Sequence, residues 1–226
     1  MKTVFAAGIT ALVSIAIFTP WLIGEQRGTQ TSSAVEATYP LAFPDDFDWG
    51  VAVAAQHVEH QQPSDWTAFE RRAIAESKTG TGDKPGQAKP GHIRDLDKYS
   101  AEVRLKKVDF DTRYESDFRE LARLGLNSYR FSLSWARLFP RSDMTEPDPE
   151  GVTFYRNVIT AAKANGLKPH VSLFHFSTPE WFWEEKDGKR GWERLDALSH
   201  WHRYVSAVSA LFGQEINHWC TLNEPM

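Results

Sequence analysis

Four polar clusters in the chain hold residue types that handle sugars and protons. They are Gln56-His57 with Glu59, Arg130 followed by Trp135 and Arg137, His175, and Asn223-Glu224-Pro225. Sugar hydroxyls both donate and accept, so His, Asn, Gln and Glu side chains pair with them readily. Breaking a glycosidic bond needs a proton at the leaving oxygen. A partly desolvated Glu at a strand end holds that proton near neutral pH. Each residue also has a plain reading. Glu224 alone would be a solvated carboxylate, His175 a satisfied core histidine, and Arg130 a structural pair. Their joint recurrence at successive strand ends favours a site.

The elements that must position them alternate. Phe47 to Ala55 reads as a first strand, followed by a long polar stretch to about Asp109. A short helix is expected around Trp66 to Glu76, and the Gly/Lys/Pro-rich run from Lys78 to Gly91 reads as a loop. Tyr114, Phe118, Leu121, Ala122 and Leu124 form a helical stripe over Thr112 to Leu124, capped by Asp111 or Thr112 and ended by Gly125. Asn127 to Ser134 alternates as a strand does. Phe154 to Ala164 is expected as a helix, Lys168 to Phe174 as a strand, Leu195 to Phe212 as a helix and Ile216 to Leu222 as a strand. Strands alternating with helices predict a parallel α/β sheet. No Gly-rich turn follows the first strand, which argues against a doubly wound nucleotide fold. Polar residues at the C-terminal strand ends favour a TIM (β/α)8 barrel. About four βα units are present, the N-terminal half of such a barrel.

Composition narrows the function classes. A net charge of −4 and the lack of a basic block give no reason to expect nucleic acid. The single cysteine, Cys220, allows no intrachain disulfide and reads as an inert residue in an apolar strand. Nine Trp are many for 226 residues. They suit stacking on sugar rings, although packing is the plainer use of any one of them. No metal is expected, because His57, Glu59 and His60, and the pair His200 and His202, lack helical metal-ligand spacing.

The N-terminus differs from the rest. An uncharged apolar stretch from Thr3 to Gly24 follows Lys2, and about 20 apolar residues are enough to cross a bilayer. Residues 1–24 are therefore expected to be a signal anchor or signal peptide. The expected location is membrane-anchored with the catalytic domain on the non-cytoplasmic side, or exported after cleavage. Residues 25–40 read as a flexible tether, and 41–226 as the partial barrel.

Four stretches together resemble glycoside hydrolase family 1, the β-glucosidase family. They are FPDDFDWGVAVAAQHVE, YRFSLSWARLFP, GVTFYRNVITAAKANGLKPHVSLFHF and HWCTLNEPM, and the similarity runs from about Leu41 to Met226. The resemblance implies a TIM barrel and retaining cleavage of β-glycosides with two glutamates and no cofactor. It implies Glu224 as acid/base, Asn223 at the sugar 2-hydroxyl, and His175 and Arg130 in the glycone site, with the arginine beside the nucleophile. His57 stands where the family pattern has Gln, with Gln56 one step earlier. The family's nucleophile lies in a Glu-Asn-Gly stretch on strand seven, and this chain stops after strand four. The chain is thus expected to be a fragment, active only when complete. The His57-x-Glu59 pattern and the apolar N-terminus also resemble the family's membrane-bound galactolipid galactosyltransferase branch. That makes galactosyl transfer between glycolipids, on a lipid-linked substrate, an alternative to hydrolysis of a small-molecule glycoside. A noncatalytic sugar-binding module is the third reading.

Overall fold

The computed structural model describes residues 43–79 and 106–225. Residues 44–226 form one compact unit. Its described part holds four strands, β1 (Gly50–Ala52), β2 (Ser128–Ser132), β3 (Lys168–Phe174) and β4 (His218–Leu222). They make one sheet in the order β1-β2-β3-β4, and every neighbouring pair is parallel. The helices are α1 (Ala55–Val58), α2 (Asp65–Thr79), α3 (Phe110–Arg123), α4 (Trp135–Leu138), α5 (Pro149–Ala164) and α6 (Ala197–Phe212). Two single 3₁₀ turns, Glu180–Trp183 and Gly191–Glu193, lie between β3 and α6.

Strand β2 shows how the sheet divides its faces. Side chains alternate along a strand. Tyr129 and Phe131 go to the helix layer, where Tyr129 meets Phe110 and Phe118 of α3. Arg130 takes the opposite face and reaches across β3. Val171 and Leu173 of β3 join the same core as Val158, Ile159 and Ala162 of α5 and Tyr204, Val208 and Phe212 of α6. Each Val, Leu, Ile or Phe among them contributes about 1.5–3 kcal/mol by leaving water. The sheet's other face is polar in its middle. His170 and His218 stack there with centroids 4.4 Å apart.

Strand β3 has the bounds expected of it, Lys168 to Phe174. Strand β1 is shorter than expected, because its ladder pairs only Gly50 to Ala52 with Ser128 to Arg130. Gly50 is required there, since a Cβ would sit 2.5 Å from the Ser128 carbonyl oxygen. Helix α5 begins earlier than Phe154. Asp148 caps it by accepting from the Gly151 N–H at 2.9 Å, and Pro149 fills the first position. The expected cap of α3 is corrected. Asp109 is the N-cap, with no side-chain cap bond, because the Asp111 carboxylate is engaged by Arg137 and the His60 N–H. Leu124, expected in the apolar stripe, lies beyond the last turn and is exposed.

The apolar stretch of residues 3–24, the tether and most of the Lys78–Gly91 run lie outside the described residues. Among the described residues no helix is long and apolar enough to cross a membrane. This corrects the expected membrane anchoring. A run of uncharged residues spans a bilayer only as a long helix that satisfies its own backbone, and the longest described helices have 16 residues, short of the about 20 apolar residues a span needs.

The stacked histidines carry a pH prediction. Burial, with the neighbouring His218, holds the His170 imidazole below its usual range, against the pull of Asp48. A lowered folded pKa means that the unfolded chain binds the proton more readily. His170 therefore contributes stability above the unfolded value of about 6.5, and this is lost as pH falls from there through the lowered folded value. In urea titrations at several pH values, the wild type should lose stability relative to His170→Asn as pH drops below about 6.5. Parallel pH curves would contradict this.

Candidate active site at the strand ends

The parallel register brings the C-terminal strand ends to one side. Phe174 of β3 pairs with Leu222 of β4, so His175 and Asn223 follow on adjacent strands. The Asn223 N–H donates to the Phe174 carbonyl at 2.9 Å. The end of β1 is held to β2 because the Ala55 N–H donates to Ser132 Oγ at 2.8 Å. That places α1, with His57, over the same edge.

Arg130 ties these ends together. Its Nε donates to Ser172 Oγ at 3.1 Å and its Nη2 to Asn223 Oδ1 at 2.5 Å. Its third contact is Cys220 Sγ, at 3.6 Å. All three partners are neutral, so this half-buried cation meets no carboxylate among the described residues. Asn223 is buried, and with its carbonyl oxygen taken by Arg130 its amide NH₂ is the group left to donate. Glu224 is exposed, with φ of 47°. A non-glycine residue in the left-handed region is uncommon.

His175 joins the cluster. Its Nδ1 is buried without a hydrogen-bond partner among the described residues. Burial, then the charges of Arg130 and His57, hold its pKa below the usual range, and Glu224 opposes them. His57, Arg130 and Glu224 are thus close enough to His175 for their charges to act on it, and Asn223 bonds Arg130.

Other candidates go elsewhere. Gln56 turns away into the following loop, accepting from Ser64 Oγ at 2.8 Å and donating to Thr67 Oγ1 at 3.2 Å. Glu59 and Arg137 form a buried structural pair, with Arg137 Nε donating to Glu59 Oε2 at 2.9 Å. Tyr155 OH donates to Glu59 Oε1 at 2.9 Å and accepts from the Ser134 N–H at 2.6 Å. Arg137 Nη2 also reaches Asp111 Oδ2 at 2.5 Å. Burial, opposed by Arg137, pushes the Glu59 carboxyl up to about 7. Cys220 is not in an apolar core. It is half-buried beside Arg130, and its Sγ lies 3.3 Å from the Leu222 carbonyl. Trp135, Trp181, Trp192 and Trp201 pack into one aromatic cluster with Phe182 and Tyr204. Trp135, Trp181 and Trp201 are packed within it, while Trp192 keeps one exposed face. His60 bonds Asp109 and lies near Asp111, so His57, Glu59 and His60 do not converge. Among the described residues no group of three or more His, Cys, Asp or Glu is arranged to hold a metal ion. Ser132, Ser172 and Tyr155 were not singled out in the sequence. The polar face of an alternating strand was the available signal for the two serines.

Comparison with known proteins bears on this arrangement. The sequence model of the family described as Glycosyl hydrolase family 1 matches residues 39–226. Beta-glucosidase 42 of Arabidopsis thaliana is 32% identical over 195 residues, which is 84% of this chain and 35% of that protein. Thermostable beta-glucosidase B of Thermobispora bispora is 30% identical over 199 residues, 86% of this chain and 36% of that protein. The solved beta-glycosidase from Pyrococcus horikoshii superposes with a TM-score of 0.61 at 29% identity, covering 82% of this chain and 37% of that one. A rice beta-glucosidase mutant in a covalent complex with Glc gives a TM-score of 0.61 at 28% identity, covering 81% of this chain and 34% of that one. The chain thus spans about a third of the length of the proteins it matches. Its four parallel strands and their helices are the N-terminal half of a TIM barrel. The family match begins beyond residues 3–24, and these relatives are named as glycosidases. With no spanning helix among the described residues, the expected membrane anchor and non-cytoplasmic location are withdrawn.

Proposed function

The chain belongs to glycosyl hydrolase family 1, and from that premise we propose that it is the N-terminal half of a retaining β-glycosidase with Glu224 as its acid/base. The observation that carries this reading is the half-buried Arg130 cation, which donates to Asn223, the residue before Glu224, and among the described residues bonds only to neutral groups. Such a cation is balanced by a carboxylate, and an adjacent positive charge keeps a carboxylate ionised. A nucleophilic carboxylate from the barrel beyond β4 fits that place.

In the complete protein Glu224 donates its proton to the glycosidic oxygen while the nucleophile attacks the anomeric carbon. The aglycone leaves as an alcohol and a glycosyl ester forms. Glu224 then takes a proton from water, and the hydroxide displaces the ester with a second inversion. This route needs the two carboxyl groups about 5 Å apart. His57, His175 and the Asn223 amide are assigned to the hydroxyls of the glycone. The covalent Glc complex of the rice relative supports the two-step course. No observation favours glycolipid transfer or a purely binding role. The test is proton NMR of early turnover by the complete protein on an aryl β-glycoside. The β anomer should appear first. Appearance of the α anomer first would contradict retention.

A further inference from the structure

Trp183 does not join the aromatic cluster that absorbs its neighbours Trp181 and Phe182. Both of those are buried, whereas Trp183 is 44% exposed. Its ring is nonetheless held in place. The indole Nε1–H donates to Thr178 Oγ1 at 2.8 Å and lies 3.1 Å from Asp65 Oδ2. The six-membered ring rests on Gly191, where a Cβ would come within 2.8 Å of Trp183 Cζ3. Gly191 also has φ of +55°, so both its conformation and this contact call for glycine.

The two anchors, Asp65 and Thr178, are themselves clasped. The Thr178 N–H donates to Asp65 Oδ1 at 2.8 Å, and the Asp65 N–H donates to the Thr178 carbonyl at 2.9 Å. The clasp joins the start of α2 to the segment leaving β3, on the side of the sheet where His175 lies. Trp66 and Phe176 flank it and are also exposed. Asp65 and Thr178 lie at the edge of the ring, and Arg71 of α2 pairs with Glu180 of the turn that carries Trp183. A fixed aromatic face with polar groups at its edge matches a pyranose ring, which presents C–H groups on one side and hydroxyls around its perimeter.

We propose that Trp183 is a stacking platform for a further sugar unit of a β-linked oligosaccharide, beyond the one held by the strand-end cluster. This rests on the glycosidase reading and extends it to the length of the substrate. Isothermal titration of the complete protein, held inactive by Glu224→Gln, with β-linked gluco-oligosaccharides of two and four units tests it. The tetrasaccharide should bind more tightly than the disaccharide by about tenfold or more, the scale of one aromatic stacking contact. Trp183→Ala should abolish that gain and Trp183→Phe should keep part of it. Gly191→Ala should weaken it with the tryptophan still present, because the ring must move. If the gain survives in Trp183→Ala, or if lengthening the ligand changes nothing, the inference is overturned and the glycosidase reading stands. If neither saccharide binds, both are overturned.

Discussion

Glu59→Ala is expected to lower folding stability by about 3–5 kcal/mol, the usual consequence of removing one partner from a buried ion pair. Glu59 is 2% exposed and accepts from Arg137 and Tyr155. Its loss leaves the Arg137 guanidinium with Asp111 alone and the buried Tyr155 hydroxyl without its acceptor. The consequence reaches the strand ends. Glu59 lies two residues past His57, Ser134 caps the turn after β2 by accepting from the Arg137 N–H, and Tyr155 holds the Ser134 N–H. Glu59→Gln keeps the shape and an acceptor, so its loss should be smaller. The pH dependence separates the two effects. With the Glu59 carboxyl pushed up to about 7 from 4.5, the folded state binds its proton more readily than the unfolded one. That contribution is fully present below pH 4.5 and is lost as pH rises through about 7. Urea midpoints of the wild type should therefore decline relative to Glu59→Gln across that window. A Glu59→Ala variant within about 1 kcal/mol of wild type would show that the network is not structural.

Glu224→Gln in the complete enzyme is expected to reduce kcat/KM by about 10²–10⁴-fold on substrates whose leaving group needs a proton. Substrates with a strongly acidic leaving group, such as a dinitrophenol, should be nearly spared in kcat/KM. That parameter reports the first step, and such a group departs without protonation. An equal loss on both classes would mean that Glu224 binds or positions the substrate and transfers no proton. Asn223, buried and bonded to Arg130, should behave differently. Its removal should weaken every substrate alike.

The layout of the site was largely readable before the structure. Parallel alternation puts strand ends on one side, and His175, Asn223 and Glu224 lie just after alternating or β-prone runs. What was hidden depends on distant pairing. Glu59 meets Arg137 across 78 positions and Tyr155 across 96, and no local pattern encodes such a contact. For the same reason Asp111 read as a helix cap when its carboxylate serves Arg137. Gln56 and His57 are adjacent, and only the Ser64–Thr67 loop decides which turns inward. The tryptophans look alike in composition. Gly191 and Asp65 separate the exposed Trp183 from the packed Trp181. The apolar stretch of residues 3–24 was persuasive on hydropathy alone, which registers the run but not the structure it takes.

The central claim is that Glu224 is the acid/base of a retaining double displacement. Its most direct test is chemical rescue of Glu224→Ala in the complete protein with azide and a dinitrophenyl β-glycoside. Removing the acid/base leaves a glycosyl-enzyme intermediate that water attacks slowly, and a small anion needs no general base. The account predicts that azide restores turnover and that the product is the β-glycosyl azide. Absence of rescue, or formation of the α-glycosyl azide, would contradict it.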